Sequence, residues 1–179
     1  MKKFFVFSLV LLLATGAFCQ HTYFTLSGGY TNAKVQDGAP KGTGYRINSL
    51  YEINPVDVNW TLGFSIGYLH LTGSTSSRNY ISSAIPFYFA PKYMFGNDQV
   101  KVYLKGAAGA QYMKMETTGT STTISDHDYG FVGGGGTGLM YFINDKVFLN
   151  AEYELLWVSN KFYQDGWTNT FSGGIGLKF

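Results

Sequence analysis

The chain has 179 residues, and Lys2 and Lys3 account for its surplus of two positive charges. A balance this close to neutral gives no electrostatic reason to expect a nucleic-acid partner. Aromatic residues make up 18% of the chain and charged residues 13%, with 23 glycines. This composition excludes disorder, a coiled coil and a helical bundle, because glycine and tyrosine are poor helix formers. An all-β chain is expected.

The N-terminal segment 1–19 has the order of a secretory signal peptide. Two lysines are followed by an apolar run over 4–13 and then by small residues. This run is too short for a membrane-spanning helix, which needs about 20 residues. Cleavage after Cys19 leaves 20–179 as a single domain without cysteine, and therefore without disulfides or thiolate sites. A lipid anchor on Cys19 is the alternative, which the bulky Phe18 disfavours.

Alternation of polar and apolar residues predicts eight strands in the domain 20–179. A period of two is typical of a strand rather than a helix, and even the charge-free stretch 58–77 alternates in this way. The predicted strands are 22–31, 43–53, 59–71, 80–95, 100–114, 129–143, 147–159 and 167–179.

The predicted connections alternate between short and long. Three are turn-like, at 54–57, 96–99 and 144–146, and four are longer and polar, at 32–42, 72–79, 115–128 and 160–166. This asymmetry is typical of outer-membrane barrels, which have short periplasmic turns and longer outer loops. The prediction is an all-β fold, an eight-stranded antiparallel up-and-down transmembrane β-barrel, with both chain ends on the periplasmic side.

Each predicted strand has one apolar row and one mixed row, and the charges within the strands fall on the mixed rows. These charged residues are Arg46, Glu52, Lys92, Lys101, Lys105, Glu152, Glu154 and Lys178. A lipid-facing Arg or Lys at the midplane costs about 2–4 kcal/mol, so the pattern predicts hydrocarbon around the apolar rows. A water-soluble, ligand-carrying barrel would place its charges outward and is the alternative.

Aromatic residues of the apolar rows concentrate near the strand ends, as in the interfacial girdles of membrane proteins. The predicted girdle residues are Tyr51, Trp60, Tyr93, Phe95 and Tyr141 near the short turns, and Trp157 and Trp167 near the long connections.

Six charged side chains are predicted to form a hydrogen-bonded network inside the lumen. They are Arg46, Lys92 and Lys105 on the cationic side and Glu52, Glu152 and Glu154 on the anionic side. An eight-stranded barrel has an interior that side chains can fill, and a desolvated charge without a partner is costly. The prediction is a plugged lumen, and a charged constriction in a narrow channel is the alternative.

Two segments depart from regular strand chemistry. Pro86 and Pro91 lack a backbone donor inside a strand that has no free edge, so a bulge or a local break in the ladder is expected. The glycine run 133–136 predicts a close backbone approach or a bend of the wall rather than a phosphate loop, since no Lys-Ser/Thr follows.

Histidines offer little catalytic signal. His127 lies between two aspartates in a polar segment, where solvated side chains are ordinary and triad geometry is rare. His70 near the end of a strand faintly resembles the His-Ser arrangement of lipid A deacylases, but Thr72 stands where a serine is needed. We predict an interfacial role for His70, and neither an enzyme activity nor a cofactor or metal for the protein.

The chain resembles the small eight-stranded outer-membrane barrels of the OmpA/OmpX type, over its whole length after the signal. The resemblance rests on the strand segments 24–30 and 85–95 and on the terminal segment 171–179. The last resembles the C-terminal sorting motif of this class, here Phe171, Ile175, Leu177 and Phe179. It implies a bacterial outer-membrane location, surrounding outer-membrane lipid and recognition by the barrel assembly machinery. No cell-wall-binding domain is expected after Phe179.

The expected role is structural or adhesion-like, exerted by a monomer through outer segments rich in Ser, Thr, Gly and Asn. Surface segments carry function more often than frameworks do, but composition does not name the ligand. A narrow passive pore for small solutes and a lipid-modifying outer-membrane enzyme are the alternatives.

Overall fold

The computed structural model describes residues 19–35, 41–55, 58–75, 78–119 and 123–179. Apart from the backbone of Cys19, the predicted signal peptide lies outside these residues. Eight antiparallel strands form a closed barrel in which each strand pairs with its sequence neighbours and β8 pairs with β1. The strands are β1 (Cys19–Val35), β2 (Lys41–Pro55), β3 (Trp60–Ser74), β4 (Asn79–Gly96), β5 (Val100–Thr118), β6 (Thr123–Phe142), β7 (Val147–Val158) and β8 (Tyr163–Lys178). The predicted fold is confirmed.

The two rows of each strand face opposite sides of the wall, because successive side chains in a strand alternate. Large apolar side chains such as Phe64 and Ile66 are exposed on the outer surface, while Arg46, Glu52 and Lys92 are buried inside. The predicted assignment of the apolar rows to the exterior is therefore confirmed. None of the residues described forms a helix long and apolar enough to cross a membrane.

The four outer connections are shorter than predicted, so the predicted lengths of 32–42, 72–79, 115–128 and 160–166 are wrong. The strands continue through most of these segments; β5 and β6, for example, remain paired up to Thr118 and Thr123. Threonine is a good strand former, and above the membrane both faces of a strand contact water. Backbone pairing therefore continues where the alternation of polarity has ended.

Both prolines of β4 interrupt a ladder without changing its register. Pairing between β3 and β4 skips the segment around Pro86, whereas Pro86 keeps its partner in β5. Pairing between β4 and β5 skips Pro91, whereas Pro91 keeps its partner in β3. The expected local breaks are confirmed and follow from the missing N–H donor, because the N–H groups of successive residues point to opposite neighbours and Pro86 and Pro91 are an odd number of positions apart.

The glycine run 133–136 keeps its register with both neighbouring strands. Gly134 has a φ of +155°, and a Cβ at this position would collide with the carbonyl oxygen of Leu155. The run therefore permits a close backbone approach, as predicted.

Candidate functional site

A buried cluster of charges fills the middle of the lumen, with Glu154 of β7 at its centre. Oε1 of Glu154 accepts a hydrogen bond from Nη1 of Arg46. Oε2 accepts one from the hydroxyl of Tyr88 at 2.7 Å and lies 2.6 Å from Nζ of Lys105. Nζ of Lys105 also donates to Oε1 of Glu152 at 2.5 Å. Four strands thus contribute to one set of charge-assisted hydrogen bonds.

A separate ion pair joins β4 to β2. Nζ of Lys92 donates to Oε2 of Glu52 at 2.7 Å, and the Thr61 hydroxyl donates to Oε1 at the same distance. Tyr103 lies between the two groups, since Nζ of Lys92 is 4.3 Å from the centre of its ring and its hydroxyl is 2.7 Å from Oε2 of Glu152. The structure therefore places the six predicted lumen residues in two paired sets that Tyr103 connects.

Sequence reasoning missed the neutral members of this cluster. The phenols of Tyr88 and Tyr103 are fully buried and contact glutamates. Asn48 contributes another acceptor, which receives the Ser65 hydroxyl at 2.8 Å. These residues all lie on the mixed rows, so their position on a lumen-facing row is the sequence signal that could have identified them as members of the cluster. Tyr88 and Tyr103 were overlooked because tyrosine is a strong strand former, so its presence in a strand does not indicate a hydrogen-bonding role.

Apolar layers lie on both sides of the charged layer. The periplasmic layer consists of Tyr23, Met94, Tyr103, Met140, Phe142 and Phe148. Towards the outside, a larger layer includes Leu69, Leu71, Met113, Met115, Leu156 and Phe162. Within the charged layer, a cavity of about 10 Å³ beside Arg46 and Glu154 remains. A space of that size holds about one water molecule.

The predicted girdle and sorting residues lie on the outer surface. Tyr51 is half-buried, and Trp60, Tyr93, Phe95, Tyr141, Trp157 and Trp167 are exposed. Phe171, Ile175, Leu177 and Phe179 are exposed on β8 and the residue that follows it. Phe179 also pairs through its backbone with Thr22, at 2.8 and 3.1 Å. The recognition of these side chains by the assembly machinery stays a prediction.

His70 has a serine partner that the sequence reasoning missed. Nδ1 of His70 lies 3.3 Å from Oγ of Ser83, its cross-strand neighbour, which also accepts from the Tyr68 hydroxyl at 3.2 Å. The hydrogen bonds of the described residues give the imidazole no carboxylate to orient it, as a hydrolytic triad requires. With Tyr45 and Tyr68 packed against it, His70 forms part of the aromatic girdle.

The outer end of β6 has a strand on one side only. Pairing with β7 ends at Val132 and Val158, whereas pairing with β5 continues to Thr123. The amides of His127 and Tyr129 donate to the aspartates that precede them, at 2.8 and 2.9 Å. Side-chain capping of this kind blunts an open strand edge.

The β7–β8 connection lies against this edge through Lys161. Nζ of Lys161 is 2.8 Å from Oδ2 of Asp126, and its backbone amide donates to Asp128 at 3.1 Å. The hydrogen bond from Lys161 lowers the pKa of Asp126. His127 is exposed and, within the ranges described, no group of three His, Cys, Asp or Glu residues could hold a metal ion.

Comparison with known proteins identifies the barrel. The profile of the outer membrane protein β-barrel domain matches residues 5–179. The chain belongs to this family. A curated relative, outer membrane protein X of Enterobacter cloacae, is 27% identical over 160 residues, which cover 87% of this chain and 85% of that protein.

Solved outer-membrane barrels share the fold. The attachment invasion locus protein Ail of Yersinia pestis is 20% identical with a TM-score of 0.56, covering 88% of this chain and 98% of that chain. Neisserial surface protein A is 21% identical with a TM-score of 0.64, covering 88% and 97%. The prediction of a bacterial outer-membrane location is confirmed by family and relatives, and outer-membrane lipid surrounds the apolar rows.

Proposed function

We propose that this family member is a non-enzymatic surface-interaction protein, in which a plugged barrel holds a raised β5–β6 hairpin above the membrane. The observation that carries the proposal is the continuation of β6, paired with β5 up to Thr123, beyond the end of its ladder with β7 at Val132. A hairpin on a rigid barrel is preorganised, which lowers the entropic cost of binding. Ail, which shares the fold, is named an attachment invasion protein, in keeping with an adhesion-like role.

The hairpin offers a surface of mixed chemistry for an adhesive contact. Ile124, on the lumen-side face of the hairpin, is 64% exposed. Tyr129, on the opposite face, is 75% exposed, and Lys114 and Glu116 form an exposed ion pair on that same face. Exposed apolar side chains within a polar surround are typical of protein interaction sites. The capped edge disfavours indiscriminate strand pairing, so we assign recognition to these side chains.

Adhesion of particles coated with the protein tests this role. We expect beads carrying the protein in nanodiscs to adhere to host cells or extracellular matrix, and adhesion to fall about tenfold or more when 117–124 is replaced by a tight Asn-Gly turn, the loss typical of removing a binding hot spot. Ile124→Ser should lower adhesion in the same direction. Ile143→Ser, which changes another exposed isoleucine, 56% exposed and at the periplasmic end, is the matched control. Equal adhesion of the trimmed and intact proteins would contradict the proposal.

The plugged lumen is the second part of the proposal. Paired charges lie between two layers that contain many apolar side chains, and desolvating a passing ion there would be costly. We expect no reproducible conductance steps from the protein in planar bilayers. A porin in the same bilayers serves as the positive control. Sizeable, reproducible steps from the unmodified protein would favour the narrow-pore alternative.

A further inference from the structure

The lumen rows carry more cations than the buried cluster uses. Arg46, Lys92 and Lys105 pair with Glu52, Glu152 and Glu154. Lys101 of β5 and Lys178 of β8 remain, and neither ammonium group lies within 4.0 Å of a carboxylate oxygen in the part of the chain that the structure describes. Two positive charges on the inner wall thus have no carboxylate in direct contact among the residues described.

These two lysines line the periplasmic mouth of the barrel. Two adjoining cavities, of about 480 and 400 Å³, share Lys101, Lys178 and Asp98. Buried Tyr23, Met94 and Phe142 belong to the apolar layer that separates these cavities from the charged cluster. Together the two cavities form one space at the periplasmic end of the lumen, the periplasmic vestibule. Lys101 and Lys178 lie on its wall, and the apolar layer forms its floor.

Other charged groups of the vestibule come from β1 and from two turns. His21 lies at the periplasmic end of β1, where burial and the charges of Lys178 and Lys101 lower its pKa. Asp98 and Asp145 line the cavities from exposed turns. The terminal residue Phe179 accepts a hydrogen bond from the amide of Thr22 through a backbone oxygen. Lys101 and Lys178 are half-buried, whereas Asp98 and Asp145 are exposed, so the lysines lie deeper in the vestibule than the aspartates.

We propose that the periplasmic vestibule binds a phosphate group. Each ammonium offers three donors, two strands present them to a common space, and the apolar floor strengthens the attraction by lowering the local dielectric. The phosphate is carried either by a free ion or by a lipid headgroup of the periplasmic leaflet, since the vestibule opens at that surface. This site lies at the end of the barrel opposite the hairpin and does not depend on its function.

Nuclear magnetic resonance titration tests the site in the full barrel. With the protein in micelles of a zwitterionic detergent at low ionic strength, we expect inorganic phosphate to shift the amide resonances around Lys101 and Lys178. The Lys101→Gln/Lys178→Gln variant should bind about tenfold more weakly or worse, since hydrogen bonds to charged groups are lost. Lys146→Gln, which removes an exposed lysine on a neighbouring periplasmic turn, is the matched control. Asp98→Asn should strengthen the binding of phosphate, because it removes a negative charge that repels the ligand.

Nanodiscs distinguish the two sources of phosphate. The phosphate of phosphatidylcholine is neutralised by its own choline, whereas that of phosphatidylglycerol is not. Shifts at the same amides in phosphatidylglycerol discs but not in phosphatidylcholine discs, with no response to inorganic phosphate, therefore identify an anionic lipid headgroup. A response to the ion alone identifies a free ligand. Absence of both responses overturns the proposal, as does equal phosphate binding by the Lys101→Gln/Lys178→Gln variant and the unmodified protein. A Lys101→Arg/Lys178→Arg variant that retains binding shows that the Gln variant lost charge rather than fold.

Discussion

Replacement of Glu154 by glutamine is expected to lower the free energy of unfolding by about 3–5 kcal/mol, the usual cost of breaking a buried ion pair by removing one partner. Glu154 is the carboxylate that pairs with Arg46, and both side chains are 3% exposed. Without it the guanidinium stays buried with the neutral Tyr88 and Asn48 as its other hydrogen-bond partners. Urea unfolding in lipid vesicles, followed by electrophoretic mobility, measures the change.

Glu116→Gln is the matched control for this substitution. It removes the same charge from an ion pair with Lys114, at 2.7 Å, that is exposed at the outer hairpin. Surface pairs contribute about 0–1 kcal/mol, so the control should unfold near the midpoint of the unmodified protein. An Arg46→Gln/Glu154→Gln variant should be more stable than Glu154→Gln, because it leaves no unpaired guanidinium. Similar small losses from Glu154→Gln and Glu116→Gln would mean that water reaches the lumen charges.

Replacement of Ile66 by arginine is expected to destabilise the barrel by at least about 2 kcal/mol, from the cost of a cation facing lipid near the midplane. Ile66 is 54% exposed on the outer wall of β3, between the girdle residues Trp60 and Tyr68. The charge would have to reach past these aromatic residues to find water. The same urea experiment in vesicles gives the loss of stability.

Ile124→Arg separates the effect of lipid from the effect of the substitution itself. Ile124 is an even more exposed isoleucine, at 64%, on the raised hairpin. An arginine there contacts water, and surface substitutions usually change stability by no more than about 0.5 kcal/mol. Equal effects at Ile66 and Ile124 would contradict the placement of the membrane between the two girdles.

The strand ends at the periplasmic end of the barrel were predicted more accurately from the sequence than those at the outer end. At the periplasmic turns the predicted strand ends lie within two residues of the observed ones, such as 95 against Gly96 and 147 against Val147. There, lipid on one face and a packed lumen on the other impose alternation up to the turn. Above the membrane both faces contact water, so the sequence near Thr118 and Thr123 does not alternate between polar and apolar residues, although the two residues are paired.

The composition of the lumen was predictable, but its individual contacts were not. A period of two placed Glu154 and Lys105 on the same inner surface, without stating which cation each carboxylate contacts. Those pairings depend on register between strands, and so does the contact of His70 with Ser83. Register is fixed by the closed set of ladders rather than by any one segment.

The closure between β1 and β8 has a consequence for the order of assembly. Every other ladder joins consecutive strands, whereas this one brings Thr22 against Phe179. Hairpins can form as soon as two adjacent strands are available, but the cylinder cannot shut before the last residues have been exported. Until then β1 and β8 each have an unpaired edge, whose free backbone N–H and C=O groups can pair with other chains and cause aggregation. We therefore expect the barrel to close only after all eight strands are present, and the edges of β1 and β8 to need protection from other chains until then.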